Sequence, residues 1–503
     1  MFAIPHHLVA RLFRFPRFLV GRLYRRKPHR HIQGRKPGGK MPPGRWWSGD
    51  NRWFEGDFAP CRRNDLRPLI DGKEAFEAML EAIKGARHYV YMVGWALTPA
   101  FALDRTDEPP SPEGLLADVL AKVSERVPVK ILVWQGSTML FQPSKELTKR
   151  AREELLRTAP RSDIRLDGTA RATHCHHQKV LVVDGQVGFV GGLDLTTLEG
   201  DRWDVPGHPL RFGRGWHDVA LRVEGEAVAD LERNFAQRWG EVTKERDLPH
   251  REPEVKADWQ TPCQVVRTIP KHTYRFARKG EFGIAAAYRD AIARAQDFVY
   301  LENQYFWSAE VVDELAAAME RNKDRHFRIV VVLPARADFG KYDNDKQVEY
   351  LRKVDNGRGM FHAFSLYSGG PASGPFGFGF VPIYVHAKVA IVDDGWYMVG
   401  SANINRRGLA KDSELNVQAI DSAGARRLRI RLWAEHLRKE EAELLGADPV
   451  EVVDRLWVPR AKEVEQLVGE KRGILPALIH PYRTGRMPGM WFLQELQSLA
   501  EGM

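Results

Sequence analysis

Two stretches of the chain carry one polar pattern at one spacing. HHQKVLVVDGQVGFVGGLD occupies 176–194 and VHAKVAIVDDGWYMVGSAN occupies 385–403, so that His177, Lys179, Asp184 and Gly191 fall on His386, Lys388, Asp393 and Gly400. Each stretch reads as a strand, a tight Asp-Gly turn and a second strand ending in small residues, Gly191 and Gly192 or Gly400 and Ser401. Side chains alternate along a strand, so His177 and Lys179 share one face and Asp184 takes the other, and His386, Lys388 and Asp393 repeat this parity. The His-Lys pairs are therefore the site residues, and Asp184 and Asp393 are expected to brace the turns.

Two histidines and two lysines facing one another suit a phosphate diester. The ammonium groups neutralise the non-bridging oxygens while one imidazole attacks phosphorus and the other protonates the leaving oxygen. An imidazole pKa near ~6.5 keeps both protonation states within reach at neutral pH. This chemistry requires no metal and no cofactor. A carboxylate behind each ring would fix its tautomer and raise its basicity, and Asp218 in GWHDVALRVEG and Glu414 in KDSELNVQAID are the candidates. Asp194 and Asn403, each 17 residues beyond its histidine, are placed with Ser401 where short polar side chains reach the phosphate or the lysines. Asp194 needs a positive neighbour, Lys179 or Lys388. The run His174, Cys175, His176, His177 invites a metal reading, but strand neighbours face alternately and do not converge on one ion. A single histidine such as His217 is assigned to structure.

The elements around these hairpins also repeat. Asp71 to Ala86 is helical, with Phe76, Met79, Leu80 and Ile83 on one face and Asp71 and Glu74 placed as a capping box. ARHYVYMVGW at 86–95 aligns with AQDFVYLENQ at 295–304, and VKILVW at 129–134 resembles RIVVVL at 328–333. Helices alternating with β-rich runs predict an α/β class. The expected organisation is two similar α/β/α lobes with mixed sheets, packed pseudo-symmetrically around one composite site. The boundaries are an N-terminal arm over 1–45, lobes over 46–250 and 251–447, and a helical tail over 448–503 that is read as an appendage without chemistry.

The 503 residues, 43% hydrophobic and 28% charged, exclude a disordered chain, a stapled miniprotein and a multi-span membrane protein. Three scattered cysteines, Cys61, Cys175 and Cys263, indicate neither a disulfide framework nor a cysteine zinc site, and a reducing, cytoplasmic compartment is expected. The net charge of +10 resides in the arm: residues 1–45 hold 12 Lys/Arg and no Asp/Glu, leaving 64 basic against 66 acidic residues beyond. Apolar residues such as Leu12, Phe13 and Leu19 interleave with Arg11, Arg14 and Arg17, which favours a lipid surface over nucleic acid. The competing reading is a disordered basic tail, for which Pro5 and Pro16 argue. No stretch reaches the ~18 apolar residues of a spanning helix. The phenylalanines of GGPASGPFGFGF at 369–380 either dip into a bilayer or belong to a loop between two core strands, and RWWSGDNRWFEG at 45–56 is either interfacial or a packing anchor.

The paired HxKxxxxD patterns, with WHDVALRVEG, ERNFAQRWG, VYLENQYF and GSANIN, closely resemble the phospholipase D superfamily over about residues 66–440. The resemblance implies a two-lobed α/β fold, a covalent phosphohistidine, no metal, and release by water or an alcohol. Carried over, it implies His177 as nucleophile and His386 as general acid, with Lys179, Lys388 and Asn403 holding phosphate. Asp194 stands where many members carry asparagine, a departure shared by sequences of the GGIDL type. The function expected is a phospholipase D acting on membrane glycerophospholipids by hydrolysis or phosphatidyl transfer, as a peripherally attached monomer. The alternatives are a cardiolipin synthase, against which ENQYF and the lack of N-terminal spanning helices argue, and a nuclease, whose basic arm would track nucleic acid.

Overall fold

Runs of β-branched residues such as VLVV at 180–183 and RIVVV at 328–332 form strands buried along nearly their whole length, as central strands covered on both faces must be. The structure is a computed structural model that describes residues 53–106, 110–138, 142–210, 215–337, 340–372 and 378–485. These lie in one compact unit of the chain, residues 47–503. The basic arm, most of the tryptophan-rich segment and the middle of the glycine-phenylalanine loop fall outside the described residues.

The first lobe opens with β1 (Asn64–Ile70), α1 (Asp71–Lys84), β2 (Val90–Gly94), α2 (Leu116–Ser124), β3 (Val129–Trp134), α3 (Lys145–Thr158) and β4 (Asp163–Asp167). It continues through β5 (Val180–Val183), β6 (Val187–Gly191), β7 (Trp216–His217), β8 (Val219–Gly225) and α4 (Ala227–Thr243). The second opens with β9 (Cys263–Ile269), β10 (Glu281–Phe282), α5 (Gly283–Ile292), β11 (Phe298–Asn303), α6 (Ala309–Arg321), β12 (Arg328–Val332) and α7 (Lys341–Asp355). It closes with β13 (Phe361–Pro371), β14 (Phe378–Val385), β15 (Lys388–Val392), β16 (Trp396–Gly400), β17 (Glu414–Ala419) and α8 (Ser422–Leu437).

The first sheet runs β1-β8-β6-β5-β2-β3-β4, and the second contains the same path as β9-β17-β16-β15-β11-β12-β13. In both, three parallel strands linked by helices join an antiparallel hairpin. The fold is thus the expected pair of mixed-sheet α/β lobes. One apolar cluster runs through both, from Val180, Val190 and Leu221 to Val389, Val399 and Leu415. The lobes also exchange backbone. β7 pairs in parallel with β14, and the His386 N–H donates to the His217 carbonyl at 2.8 Å. Reciprocally, the His177 N–H donates to the Ser413 carbonyl at 2.9 Å.

Two expectations are corrected. Asp71 does not cap α1: Ile70 precedes the helix without a side-chain cap, and Asp71 lies fully buried at φ 63°, its carboxylate 2.9 Å from His217 Nδ1. Only Glu74 keeps its part of the box, accepting the Ile70 N–H at 2.8 Å. The described part of the tail, 448–485, is no appendage. Val450, Trp457, Val464 and Leu478 enter the main core, β18 (Ile479–Pro481) pairs with β13, and the fully buried Trp457 meets Trp433 edge-on at 5.4 Å. Such apolar surface is worth more inside the core than in water. The segment flanking the Gly-Phe loop agrees with the reading of a loop between two strands: β13 and β14 form a long hairpin, and Phe378 and Phe380 lie half-buried on it.

Candidate active site

The hairpin turns carry two consecutive left-handed residues, Asp184 and Gly185 (φ 55° and 66°) or Asp393 and Asp394 (φ 51° and 47°), as a type I′ turn demands. In the second copy the glycine, Gly395, therefore follows the turn's centre instead of occupying it. The Asp184 carboxylate accepts the N–H groups of Arg87, His88 and Tyr89 at 2.7–2.8 Å, and Asp393 accepts those of Gln296, Asp297 and Phe298 at 2.8–2.9 Å. Each aspartate ties its hairpin to the start of the neighbouring parallel strand. Neither lines the cavity that the histidines share.

His177 and His386 both line one cavity of about 140 Å³, together with Asn403, Glu414, Gln304, Tyr305, Trp95 and Trp134. The structure brings the two expected histidines together from the two lobes, whereas neither Lys179 nor Lys388 lines the cavity. Lys179 Nζ sits 2.9 Å from Asp194 Oδ2 and donates to the His177 carbonyl at 2.8 Å. Asp194 also accepts the Trp95 N–H at 2.9 Å, so it has the cationic neighbour it needs and lies behind the lysine, outside the shared cavity. Lys388 is bound differently: Nζ donates to the His386 carbonyl at 2.5 Å, lies 3.4 Å from Gln304 Oε1 and is 3.0 Å from His386 Nδ1. Asn403 donates to the same Gln304 oxygen at 3.3 Å, and its own Oδ1 makes no hydrogen bond.

Behind the rings the carboxylates are exchanged. His177 Nδ1 lies 3.0 and 3.1 Å from the two oxygens of Glu414 in the second lobe, and His386 Nδ1 lies 2.6 Å from Asp218 Oδ2 in the first. Asp218 and Glu414 hold equivalent places, each two residues before the residue that pairs with Gly191 or Gly400. The small residues at the hairpin ends make room for them. A Cβ on Gly192 would stand 2.3 Å from Asp218 Oδ1. Ser401, expected to reach substrate, instead is fully buried and donates to Glu414 Oε2 at 2.5 Å. With each Nδ1 engaged by a carboxylate, Nε2 is the nitrogen left to the cavity.

Burial pushes both rings well below the ordinary imidazole range, and the ammonium groups of Lys179 and Lys388 push further in the same direction. Burial likewise raises Glu414 well above the usual carboxylate range and Asp218 to about 6, so it disfavours the charged form of both members of each pair. Burial also brings Lys388 down to about 7, against the pull of Asp218.

The His174–His177 run does not alternate as a regular strand would: it lies outside the named strands, and His174, Cys175 and His177 all line the cavity. His176 turns inward to Ser413 Oγ at 2.7 Å and Asp167 Oδ1 at 2.9 Å. Sequence reasoning missed Gln304 and Trp95, which occupy equivalent positions 209 residues apart. The aligned segments that end on them held that signal. Trp95 lies edge-on to His177 at 6.1 Å and 5.8 Å from Lys179 Nζ, whereas Gln304 joins Lys388 to Asn403.

Comparison with known proteins agrees with this geometry. A family model described as phospholipase D matches residues 82–214 and 212–318, and one described as cardiolipin synthase, PLD-like domain, matches 288–433. The chain is 26% identical to phospholipase D alpha 1 of Carica papaya and of Brassica oleracea var. capitata, in each case over 77% of this chain and 67% of the relative. It thus spans about two thirds of the length of those relatives. Among solved structures, the phosphatidylserine synthase of Haemophilus influenzae Rd KW20 superposes with a TM-score of 0.51 at 13% identity, covering 81% of this chain and 94% of the other, a likeness of fold alone. Two His-Lys pairs from duplicated lobes, matched by these models across 82–433, place the chain in the phospholipase D superfamily.

Proposed function

We propose that the protein is a phospholipase D-type phosphodiesterase that cleaves the distal phosphodiester bond of glycerophospholipids and passes the phosphatidyl group to water or an alcohol. The observation that carries this reading is the shared cavity, where two imidazoles meet with Nδ1 bound to a carboxylate and Nε2 open.

In the first half-reaction His177 Nε2 attacks phosphorus and the headgroup oxygen leaves with a proton from His386 Nε2, forming phosphatidyl-His177. In the second, His386 removes a proton from water or an alcohol, whose oxygen attacks phosphorus and frees His177. Lys179, Lys388 and Asn403 carry the non-bridging oxygens. Lys388, whose hydrogen-bond contacts are two uncharged oxygens and His386 Nδ1 rather than a carboxylate, gains most from an anion. An arriving phosphate also offsets the ammonium charge that disfavours imidazolium, so substrate itself makes the acid form of His386 accessible. Asp218 and Glu414 hold the rings, Ser401 orients Glu414, and Asp184 and Asp393 fix the turns.

The substrate lies in a membrane, and no helix among the described residues is long and apolar enough to cross one. Peripheral attachment of a monomer, with the basic arm over 1–45 against anionic lipid, completes the proposal. The cardiolipin synthase reading draws support from the family model over 288–433, with phosphatidylglycerol as acceptor.

The test incubates purified protein with labelled phosphatidylcholine or phosphatidylethanolamine, with and without a primary alcohol, beside phosphatidylglycerol alone and supercoiled DNA. Phosphatidic acid, replaced by phosphatidyl-alcohol when alcohol is present, is the expected product. Cardiolipin as the main product selects the synthase, and DNA nicking without lipid turnover overturns the lipid reading.

A further inference from the structure

Beside the second histidine lies a buried cluster that the proposed chemistry leaves idle. Asp71 at the start of α1, His208 in the loop before β7, His217 on β7 and Glu435 on α8 each bring one ligand-type atom within 4.8 Å of the others. His217 Nδ1 lies 2.9 Å from Asp71 Oδ1 and 3.8 Å from Glu435 Oε2, and His208 Nε2 lies 3.2 Å from Asp71 Oδ2 and 3.7 Å from Glu435 Oε1. Four ligands held at ~2.0–2.1 Å around a tetrahedral zinc stand about 3.3 Å from one another. The observed contacts, which involve both oxygens of each carboxylate, run from 2.9 to 3.8 Å, on either side of that value.

Two independent features point to a ligand. Asp71 Oδ2, Glu435 Oε2 and His208 Nε2, the atoms that face the cluster, make no hydrogen bond of good geometry, although their side chains are 0%, 8% and 1% exposed. The contacts they make are ion-pair distances to one another and to His217. In addition, the nitrogen of each histidine that points away from the cluster meets a carboxylate: His217 Nε2 lies 2.9 Å from Glu302 Oε2, and His208 Nδ1 lies 3.0 Å from Asp204 Oδ2. A carboxylate behind each imidazole is how proteins orient zinc-binding histidines. Asp71, Asp204, Glu302 and Glu435 bring four carboxylates against His208, His217 and His436, an anionic excess that a divalent cation neutralises. Two nitrogens and two oxygens at four-coordinate spacing suit zinc, whereas calcium and magnesium take six or more oxygens.

We infer that Asp71, His208, His217 and Glu435 form a structural zinc site that clasps the two lobes. Three ligands come from the first lobe and Glu435 from the second. The clasp adjoins the reaction centre through the His217 carbonyl, which accepts the His386 N–H, but no step of the reaction passes through the ion. The ligands lie up to 364 positions apart in the chain and include no cysteine, so ligand spacing along the sequence gives no sign of them.

The test uses the full chain, stripped with a chelator, incubated with excess zinc and desalted, with bound metal measured by mass spectrometry and Co²⁺ as a visible reporter. About one zinc per chain, intense visible absorption from tetrahedral Co²⁺ and a higher Tm with zinc are expected. His208→Asn and the near-isosteric Glu435→Gln should each lower zinc affinity about 10-fold or more, while His177→Asn retains it. Should His208→Asn fail to fold, Glu435→Gln carries the test. Failure of the native chain to retain zinc, retention unchanged in both ligand variants, or loss on His177→Asn, which would place the ion at the catalytic pair, overturns the assignment.

Discussion

His177 Nδ1 lies 3.0 Å from Glu414 Oε1, a carboxylate 237 residues further along the chain and in the opposite lobe, and His386 and Asp218 repeat the exchange in the other direction. Neither lobe alone supplies the carboxylate that orients its cavity histidine, His177 or His386. The composite site therefore follows from the pairing of lobes, and the continuous core between them is part of the catalytic apparatus.

Glu414→Gln keeps a group of similar size behind His177 but removes its capacity to become an anion. We expect kcat to fall about 10²- to 10⁴-fold, the range of a lost acid-base function. Asp218→Asn should do the same through His386. Phospholipid turnover measured beside the Tm of each variant checks this, the Tm showing that the fold survives.

The kcat/KM profile should be bell-shaped and displaced to the acid side of the ordinary imidazole value. His177 must be neutral to attack, so its lowered pKa moves the acid limb down; His386 must be protonated to donate, so its lowered pKa moves the base limb down as well. Lys388, at about 7, loses its charge over the same rise in pH and weakens phosphate binding. Initial rates across pH, taken well below KM, test the displacement. An optimum in the range of free lysine would contradict it.

Gly192→Ala should act as a catalytic lesion although glycine and alanine differ by one methyl group. The added Cβ would meet Asp218 Oδ1 at 2.3 Å and turn that carboxylate away from His386. A loss of about 10²-fold or more in kcat is expected, the scale of a misdirected acid-base pair, and steady-state assay on lipid vesicles reads it. Ser401→Ala, which removes only the hydroxyl bound to Glu414, should give a milder loss.

Asp393→Ala separates scaffold from chemistry. Three backbone N–H groups at the entrance to β11 lose their acceptor, which should cost about 3 kcal/mol or more of stability at about 1 kcal/mol for each typical hydrogen bond. Urea denaturation measures the loss, while kcat per folded molecule should stay close to the native value.

The hairpins, the doubled α/β order and the His-Lys faces were legible because their signals are local: period-2 alternation, Asp-Gly turns and a repeat of 209 residues. The exchange of Asp218 and Glu414 was not, because nothing within either strand says which lobe's histidine its carboxylate will meet. Asp71 misled for a related reason. Its place before an apolar helical stripe matches a cap, but the buried histidines His208 and His217 hold its carboxylate more strongly than the helix end would. Trp457 and the tail were read as appended because their prolines mark turns, while the core they fill is made by β13 and α8 far upstream.

The central claim is a covalent bond between His177 and the phosphatidyl group. Acid-stable mapping is unsuited to a phosphoramidate, so the measurement is a rapid alkaline quench of enzyme turning over phospholipid labelled at phosphorus, followed by peptide analysis. The account predicts label on the peptide containing His177, none on that containing His386, and none in His177→Asn. Label on His386 with continued turnover in His177→Asn would contradict it.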